Sequence, residues 1–423
     1  MTEHAPHLRV ILLMKATTYR SRPFLEAAAR LGIEVVKGID MPPELAEYWH
    51  APLGLQFDQP EEAVQAITDF ARQTPVQAIL AVDDSATVLA ALASEALGLA
   101  FNSSEAALAA RNKHRMRQLL SAAGVPCPQF RLFDMTDEPT RVAAEVEYPC
   151  VVKPLLLSGS RGVIRADNSA EFETAFRRLA RLLASMQRVP GSTGILVENF
   201  IPGFEVALEG MLDREQLQVL ALFDKPDPLD GPFFEETIYV TPSRLPISVQ
   251  TAITDCAAQA AAALGLRQGP IHAELRVNEA GPWLVEVAGR SIGGLCSQTL
   301  RFGPDISLEE LILRQAVGME IESWRGDEGA RGVMMIPIPA AGLLKRVDGV
   351  EAARQVPGIE SVEITAQLYQ PLVPLPEGES YLGFIFARGN EPAEVEAALR
   401  QAHARLHFEV ETMLTLNVGT LNV

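Results

Sequence analysis

The chain has 423 residues, 48% of them hydrophobic and 21% charged, which is too long for one core and carries no mark of disorder. Its 54 acidic against 36 basic side chains give a formal charge of −18, which argues against nucleic-acid or anionic-membrane binding, so an anionic ligand must be met by local cations and backbone N–H groups. Cys127, Cys150, Cys256 and Cys296 lack C-x-x-C or zinc-like spacing and read as reduced core thiols. The start M-T-E-H-A-P-H has no signal-peptide character and no run approaches ~18 apolar residues, so a soluble cytoplasmic protein is expected.

Leu8 to Met14 (L-R-V-I-L-L-M) reads as a short buried strand. After K-A-T-T-Y-R-S-R-P comes a helix that runs to about Leu31 and stops at Gly32. Ile33–Lys37 and Val76–Val82 are further strands, the latter entering V-D-D-S-A-T before another helix, which makes a wound α/β unit. With no G-x-G-x-x-G, dinucleotide binding has no support here. Asp83, Asp84 and Ser85 at a strand end are candidate substrate contacts, with capping of the following helix the favoured role.

From Asn112 a basic helix begins (N-K-H-R-M-R-Q-L-L-S-A-A-G), closed by Gly124, with Lys113 placed near its start to meet an anion. The run Y-P-C-V-V-K-P-L-L-L-S-G-S-R-G-V puts Lys153 in a strand before a loop of Ser158, Gly159, Ser160, Arg161 and Gly162. Small residues there let N–H groups approach phosphate oxygens, although a glycine-bearing hairpin turn looks much the same and the G-K-[ST] ending of a Walker A loop is missing.

A helix from about Ala170 to Gln187 is ended by V-P-G-S-T-G. Two strand-like runs then meet at Ile201, Pro202 and Gly203 in V-E-N-F-I-P-G-F-E, where Glu198, Asn199, Phe200 and Ile201 can frame a base edge and Glu205 can accept from ribose hydroxyls. After a strand at Gln216–Phe223, the proline-rich D-K-P-D-P-L-D-G-P-F-F-E-E-T-I-Y-V-T-P-S-R reads as an irregular loop. Its Glu235, Glu236, Ser243 and Arg244 offer polar groups to a small substrate. An Ala-rich helix from Val249 to Leu266 follows.

The stretch I-H-A-E-L-R-V-N-E-A-G-P-W-L-V-E-V-A-G-R-S-I-G-G, Ile271 to Gly294, has the period of two of a hairpin, with Asn278 to Gly281 supplying a turn of about three to five residues. Centred on Ala280, it sets Glu274 opposite Glu286. At ~5 Å and an effective dielectric of ~20 the repulsion is of order 3 kcal/mol, so something compensates: a divalent cation, a shared proton, or Arg276 and Arg290. Two carboxylates with open positions suit Mg2+ at a phosphate better than Zn2+.

The remainder, Gly332 to Val423, mixes strands with a helix N-E-P-A-E-V-E-A-A-L-R-Q-A. His403 and His407, four apart on that helix, have metal-binding spacing but no third ligand nearby, so a plain helix face is expected.

In this order, a helix lysine, a strand lysine before a glycine loop, V-E-N-F-I-P-G-F-E, then Glu274 and E-V-A-G-R, the chain resembles the ATP-grasp superfamily of carboxylate–amine ligases over roughly residues 1–320. The proline loop and E-V-A-G-R-S-I-G-G look most like the branch of bacterial L-amino-acid ligases, which make dipeptides. The resemblance implies an α/β (α+β) ATP-grasp fold: an N-terminal wound α/β domain over 1–110, an ATP-grasp domain over 111–322 with an antiparallel-sheet ATP-binding core and a central lid at about 126–200, and an appended C-terminal α+β domain over 323–423. It implies that Lys113, Lys153 and the Ser158, Gly159, Ser160 and Gly162 loop contact ATP phosphates. Glu198 to Ile201 would frame adenine, Glu205 would hold ribose, and Glu274 and Glu286 would hold Mg2+, with Mn2+ as an alternative. Arg290 and Lys153 would be the catalytic cations, and Ser291, Gly293 and Gly294 would join His272, Glu235, Glu236 and Ser243 around the substrates.

The implied reaction activates a carboxylate, expected to be that of an amino acid, as an acyl phosphate and joins it to an amine, releasing ADP and phosphate. Many members place Asn two residues after the second metal glutamate, and here that place is Ala288. That departure motivates one alternative, a non-catalytic ATP-binding protein; a bicarbonate-activating carboxylase of the same superfamily is the other. The expected partners are ATP and small molecules, with no nucleic acid or membrane, and a homodimer is common in similar proteins.

Overall fold

A computed structural model of the protein describes residues 8–48, 51–186, 193–303 and 305–412. The apolar run inside β1 (Arg9–Lys15) is buried from Val10 to Met14, as a strand covered on both faces must be. α1 (Ser21–Leu31) ends as expected at Gly32, whose N–H donates to the Ala28 and Ala29 carbonyls. With β2 (Glu34–Asp40), α2 (Pro43–Tyr48), β3 (Leu53–Leu55), α3 (Pro60–Gln73), β4 (Ala78–Ala81) and α4 (Thr87–Leu97), the result is a parallel sheet in the order β3-β2-β1-β4. One expectation here fails. Asp83 precedes a short 3-10 turn without capping it; its carboxylate instead accepts from Lys15 N at 3.3 Å and Thr18 Oγ1 at 3.0 Å, because the neighbouring strand end supplies better donors.

α5 (Ser104–Arg111) leads into α6 (Lys113–Ala122), capped by Asn112 Oδ1 accepting from Arg115 N. β5 (Phe130–Asp134), α7 (Pro139–Ala143), β6 (Cys150–Pro154), β7 (Ile164–Ala166), α8 (Ser169–Ser185) and β8 (Gly194–Asn199) form a small antiparallel unit ordered β5-β8-β6-β7. Gln187, the expected end of α8, and Val189 to Ser192 of its terminating run lie outside the described residues.

The largest sheet begins with β9 (Phe204–Asp213), β10 (Gln216–Asp224) and β11 (Ile238–Thr241). α9 (Ile247–Leu264), stopped by Gly265, returns the chain to β12 (Gly269–Asn278) and β13 (Gly281–Ala288). A ribbon of β14 (Arg301–Phe302) and β15 (Ile306–Ser307) precedes α10 (Leu308–Ala316). The chain continues through β16 (Ala330–Ile336), β17 (Gly342–Asp348), α11 (Val350–Arg354), β18 (Ile359–Ile364), β19 (Pro371–Leu372), β20 (Gly383–Gly389), α12 (Pro392–His403) and β21 (His407–Glu411).

The eight strands of this sheet run β13-β12-β9-β10-β11-β16-β20-β18, so the C-terminal segment is joined edge to edge with the central sheet through β11 and β16. Gly332 makes that junction possible, since a Cβ there would lie 2.8 Å from both Tyr239 O and Val395 Cγ1 on α12. His403 and His407 do not share a helix: α12 ends at His403 and His407 opens β21, because the chain turns at Ala404–Leu406. The four cysteines are unpaired, and among the described residues no helix is long and apolar enough to cross a membrane.

Candidate active site

Two cavities meet over the β12–β13 edge of the large sheet. One runs beneath the β5–β8 unit, walled by Lys113, Lys153, Ser158 to Ser160, Glu198 to Ile201, Glu205, Glu236, Glu274, Glu286 and Arg290. The other, of about 530 Å3, opens toward the ends of β1 and β4 and is walled by Lys15, Asp83, Asp84, Arg111, Ile292, Gly293, Gly294 and Tyr381 among others. Leu157, Ser158, Gly159, Glu236, His272, Glu274 and Arg290 line both.

At that junction the hairpin pairs Glu274 with Glu286, as alternation predicts. The turn is tighter than expected: Asn278 pairs with Gly281 around a two-residue loop, and the register shift between Glu274 and Leu275 makes Val285 a bulge that restores the pairing. The charges are compensated by other groups than Arg276. Glu286 Oε1 lies 3.1 Å from Lys113 Nζ, and Glu274 Oε1 lies 3.5 Å from Lys225 Nζ and 3.4 Å from His272 Nε2. Arg276 turns away to the Ile201 and Leu229 carbonyls and Asp230. Arg290 sits 3.5 Å from Asp84, and its charge also faces Glu286 and Glu274.

Lys225 escaped the sequence reading. Its buried ammonium lies 2.8 Å from Glu205 Oε1 and 2.5 Å from Glu236 Oε1, in the space where Glu205, Glu236 and Glu274 bring oxygens within 4.8 Å of one another. An internal ammonium thus occupies what would otherwise be a cation site. Burial opposes the lysine charge, but the three carboxylates hold its pKa well above the usual range. Burial pushes Glu236 up to about 7 against the pull of Lys225. Glu274 is also buried, yet Lys225 and His272 keep it well below the ordinary carboxylate range. The expected ribose ligand Glu205 stays on the wall, engaged by Lys225 and, at 3.4 Å, by Arg276 Nε.

Lys153, in the fully buried strand β6, places Nζ 2.6 Å from Glu198 Oε2, while Arg117 Nε holds Glu198 Oε1 at 2.7 Å. Burial would raise Glu198, but these two cations win and lower it; burial lowers Lys153. The Glu198 side chain is therefore spent on Lys153 and Arg117, and of the expected adenine frame only backbone groups stay open. The Asn199 and Phe200 N–H groups are spent on the Gln129 and Pro149 carbonyls, so the Ile201 N–H, without a partner among the described residues, is left for a base edge. Phe200 lies under Arg165 at 4.1 Å and Arg276 at 4.8 Å. Arg117 also donates to Val285 O at 2.5 Å, fastening α6 to the bulge.

The R-S-I-G-G run is fixed from beneath. Glu209, wholly buried opposite His272, lies 3.1 Å from His272 Nδ1 and accepts from Ile292 N at 3.0 Å. Burial raises Glu209, and the carboxylates on both ring nitrogens raise His272 although burial opposes it. Arg20 donates to Val82 O, Ser291 Oγ and Ile292 O. Ser291 is thereby turned inward, whereas Gly293 and Gly294 reach the second cavity. Besides Ser291, three expected substrate groups line neither cavity: Ser243 donates to Asp224 at 2.6 Å, Arg244 pairs with Asp224 at 2.8 Å and Glu396 at 2.9 Å, and Glu235 lies apart from both. Sequence signals for the missed residues did exist: a glutamate inside the apolar F-E-V-A-L-E-G-M-L, and a lysine directly after β10, between aspartate and proline.

Residues 146–299 match the ATP-grasp domain, residues 25–101 the ATP-grasp N-terminal domain, and residues 334–411 the L-amino acid ligase C-terminal domain 2. The chain is 26% identical over 306 residues to an uncharacterized protein of Sinorhizobium fredii, covering 72% of this chain and 62% of that one. It is 28% identical over 302 residues to alanine–anticapsin ligase of Bacillus subtilis, covering 64% and 63%, so a sizeable part of each relative lies outside the match. The crystal structure of L-amino acid ligase from Bacillus licheniformis superimposes with a TM-score of 0.82 at 26% identity, covering 97% of this chain and all of that one. The chain thus carries, in order, an ATP-grasp N-terminal domain, an ATP-grasp domain and an L-amino acid ligase C-terminal domain, on the fold of an L-amino acid ligase.

Proposed function

We propose that the protein is an ATP-dependent carboxylate–amine ligase that joins an amino acid, activated as its acyl phosphate, to an amine. The observation that carries this reading is the confluence of the two cavities at Glu236, His272, Glu274 and Arg290, where a nucleotide under the β5–β8 unit would present its terminal phosphate to a second ligand. A carboxylate does not accept an amine directly, because oxide would have to leave. Phosphorylation supplies a competent leaving group, and that step is mostly positioning and charge neutralisation.

In this reading the Ile201 N–H and Glu205 wall the nucleoside end, and Lys113, Lys153 and the Ser158–Ser160 turn face the phosphates; Gly162, expected among them, lines neither cavity and spends its N–H on Pro376 O. Carboxyl oxygen attacks the γ-phosphorus and ADP leaves; amine nitrogen then bonds to the acyl carbon, phosphate leaves, and a proton is lost from nitrogen. Arg290, between both steps, is placed to meet the developing oxyanion together with the N–H groups of Gly293 and Gly294. Glu274 and Glu286 offer hard oxygen donors on one face of the hairpin, a set that fits Mg2+ or Mn2+, while Ala288 offers none. The ion would supply positive charge at the phosphates. Two lysines and the neutralised carboxylate trio argue against a decayed site, and the L-amino acid ligase C-terminal domain argues against a bicarbonate-activating carboxylase.

The test is a screen of amino-acid pairs for phosphate release with mass analysis of the products. ADP and phosphate that depend on both substrates, with an amide product, are expected. AMP with pyrophosphate, or hydrolysis stimulated by bicarbonate without an amino acid, would overturn it.

A further inference from the structure

The glycine loop is fastened to the C-terminal domain. The Gly162 N–H donates to Pro376 O at 2.7 Å, and Arg161 Nε donates to Glu377 O at 2.8 Å. From α8, Arg178 grips both oxygens of Glu377, Nε at 2.6 Å and Nη2 at 2.8 Å, a planar fork that fixes direction as well as energy. Gly162 is needed at this spot: its φ is +76, and a Cβ would lie 2.9 Å from Leu179 Cδ1, one residue along α8 from Arg178. The docking segment is compact, with the Gly378 N–H returned to Pro374 O at 2.9 Å and Pro376 buried. Its continuation, Glu379, Ser380 and Tyr381, walls the second cavity, and Glu379 also lies 3.2 Å from Arg161. One strap thus touches the phosphate loop on one side and the substrate cavity on the other.

We propose that the strap at 374–381, through the Glu377–Arg178 fork and the Pro376–Gly162 bond, is the positioning element that keeps the phosphate loop shut over the acyl phosphate and so favours amine over water. Its consequence for turnover rests on the ligase reading above; its geometry does not. With the loop loosened, water oxygen bonds to the acyl carbon, phosphate leaves and the free acid returns, so that ATP and water become ADP, phosphate and a proton without amide. With the loop held, the amine nitrogen takes the acyl group.

The experiment compares the full chain with Glu377→Arg, Arg178→Glu and the double exchange by amide hydrogen exchange in Mg·AMP-PNP, and then by the ratio of phosphate released to amide formed. Each single change is expected to speed exchange at residues 158–166 about fivefold or more, with β9 and β12 unchanged, and to raise the phosphate-to-amide ratio; the double exchange should return both toward the original. Exchange at 158–166 as in the original chain, an equal rise in β9 and β12, or failure of the double exchange to restore it would overturn the proposal. Because exchange is read without turnover, a chain that makes no amide with any substrate pair would sink the ligase reading while the exchange result still decides the strap.

Discussion

Glu274 and Glu286 face one another because Val285 is an extra residue in β13, and each is then neutralised by a different lysine, Lys225 and Lys113. Neither cation satisfies both carboxylates, which leaves a gap with oxygen donors on either side. Glu286→Gln and Glu274→Gln are therefore expected to lower turnover by at least about a hundredfold while far-ultraviolet circular dichroism stays unchanged. A chelator should abolish activity, and Mg2+ or Mn2+ should restore it. An active Glu286→Gln enzyme would mean that the metal assignment is wrong.

Lys225 is the only ammonium within salt-bridge distance of Glu205, Glu236 and Glu274 together among the described residues, and its side chain is 2% exposed. Lys225→Met removes that charge and leaves the carboxylates facing each other, at a cost of about 3–5 kcal/mol in denaturant unfolding measured with chelator present. The vacated trio then resembles an oxygen-donor cation site, so divalent ions should recover part of the loss. Stability equal to that of the parent in chelator would contradict this account.

The acid limb of stability should run through Glu198. Its folded-state pKa is depressed below the unfolded value, so its stabilising contribution is present above the unfolded pKa of about 4.3 and is lost as pH falls through the folded value. Glu198→Gln leaves Arg117 and Lys153 buried without a counter-charge, costing about 3–5 kcal/mol at neutral pH. It should also flatten the fall of melting temperature between about pH 5 and pH 3. An unchanged slope would place the acid sensitivity elsewhere.

Much of this was legible in the chain because it rests on short-range periodicity. Alternation along β12 and β13 located the glutamate pair, even though the expected turn was too long; the bulge at Val285 compensates by one residue. The caps at Gly32 and Asn112 were readable for the same local reason. What escaped depends on partners distant in sequence. Asp83 looked like a cap because the donors that claim it, Lys15 N and Thr18 Oγ1, come from the end of β1 and the turn after it. Lys225 went unnoticed within the proline-rich loop because its carboxylates, Glu205, Glu236 and Glu274, lie on separate strands or loops. The C-terminal segment looked appended because nothing local announces that β16 pairs with β11.

Arg20 links the N-terminal sheet to the reaction site, and its loss tests whether the R-S-I-G-G backbone must be held still. Its guanidinium bonds Val82 O at 2.6 Å, Ser291 Oγ at 3.0 Å and Ile292 O at 2.8 Å, a spread that a single lysine ammonium does not reproduce. The cavity beneath the β5–β8 unit touches none of these groups, whereas the second cavity is lined by Ile292, Gly293 and Gly294. Arg20→Lys should therefore raise the KM of the acid or amine and lower kcat by about tenfold or more, while the KM for ATP moves less than about twofold. Steady-state kinetics with each substrate varied in turn decide it. A rise confined to the ATP KM would mean that Arg20 acts through the nucleotide cleft and that the second cavity is not where the substrates sit.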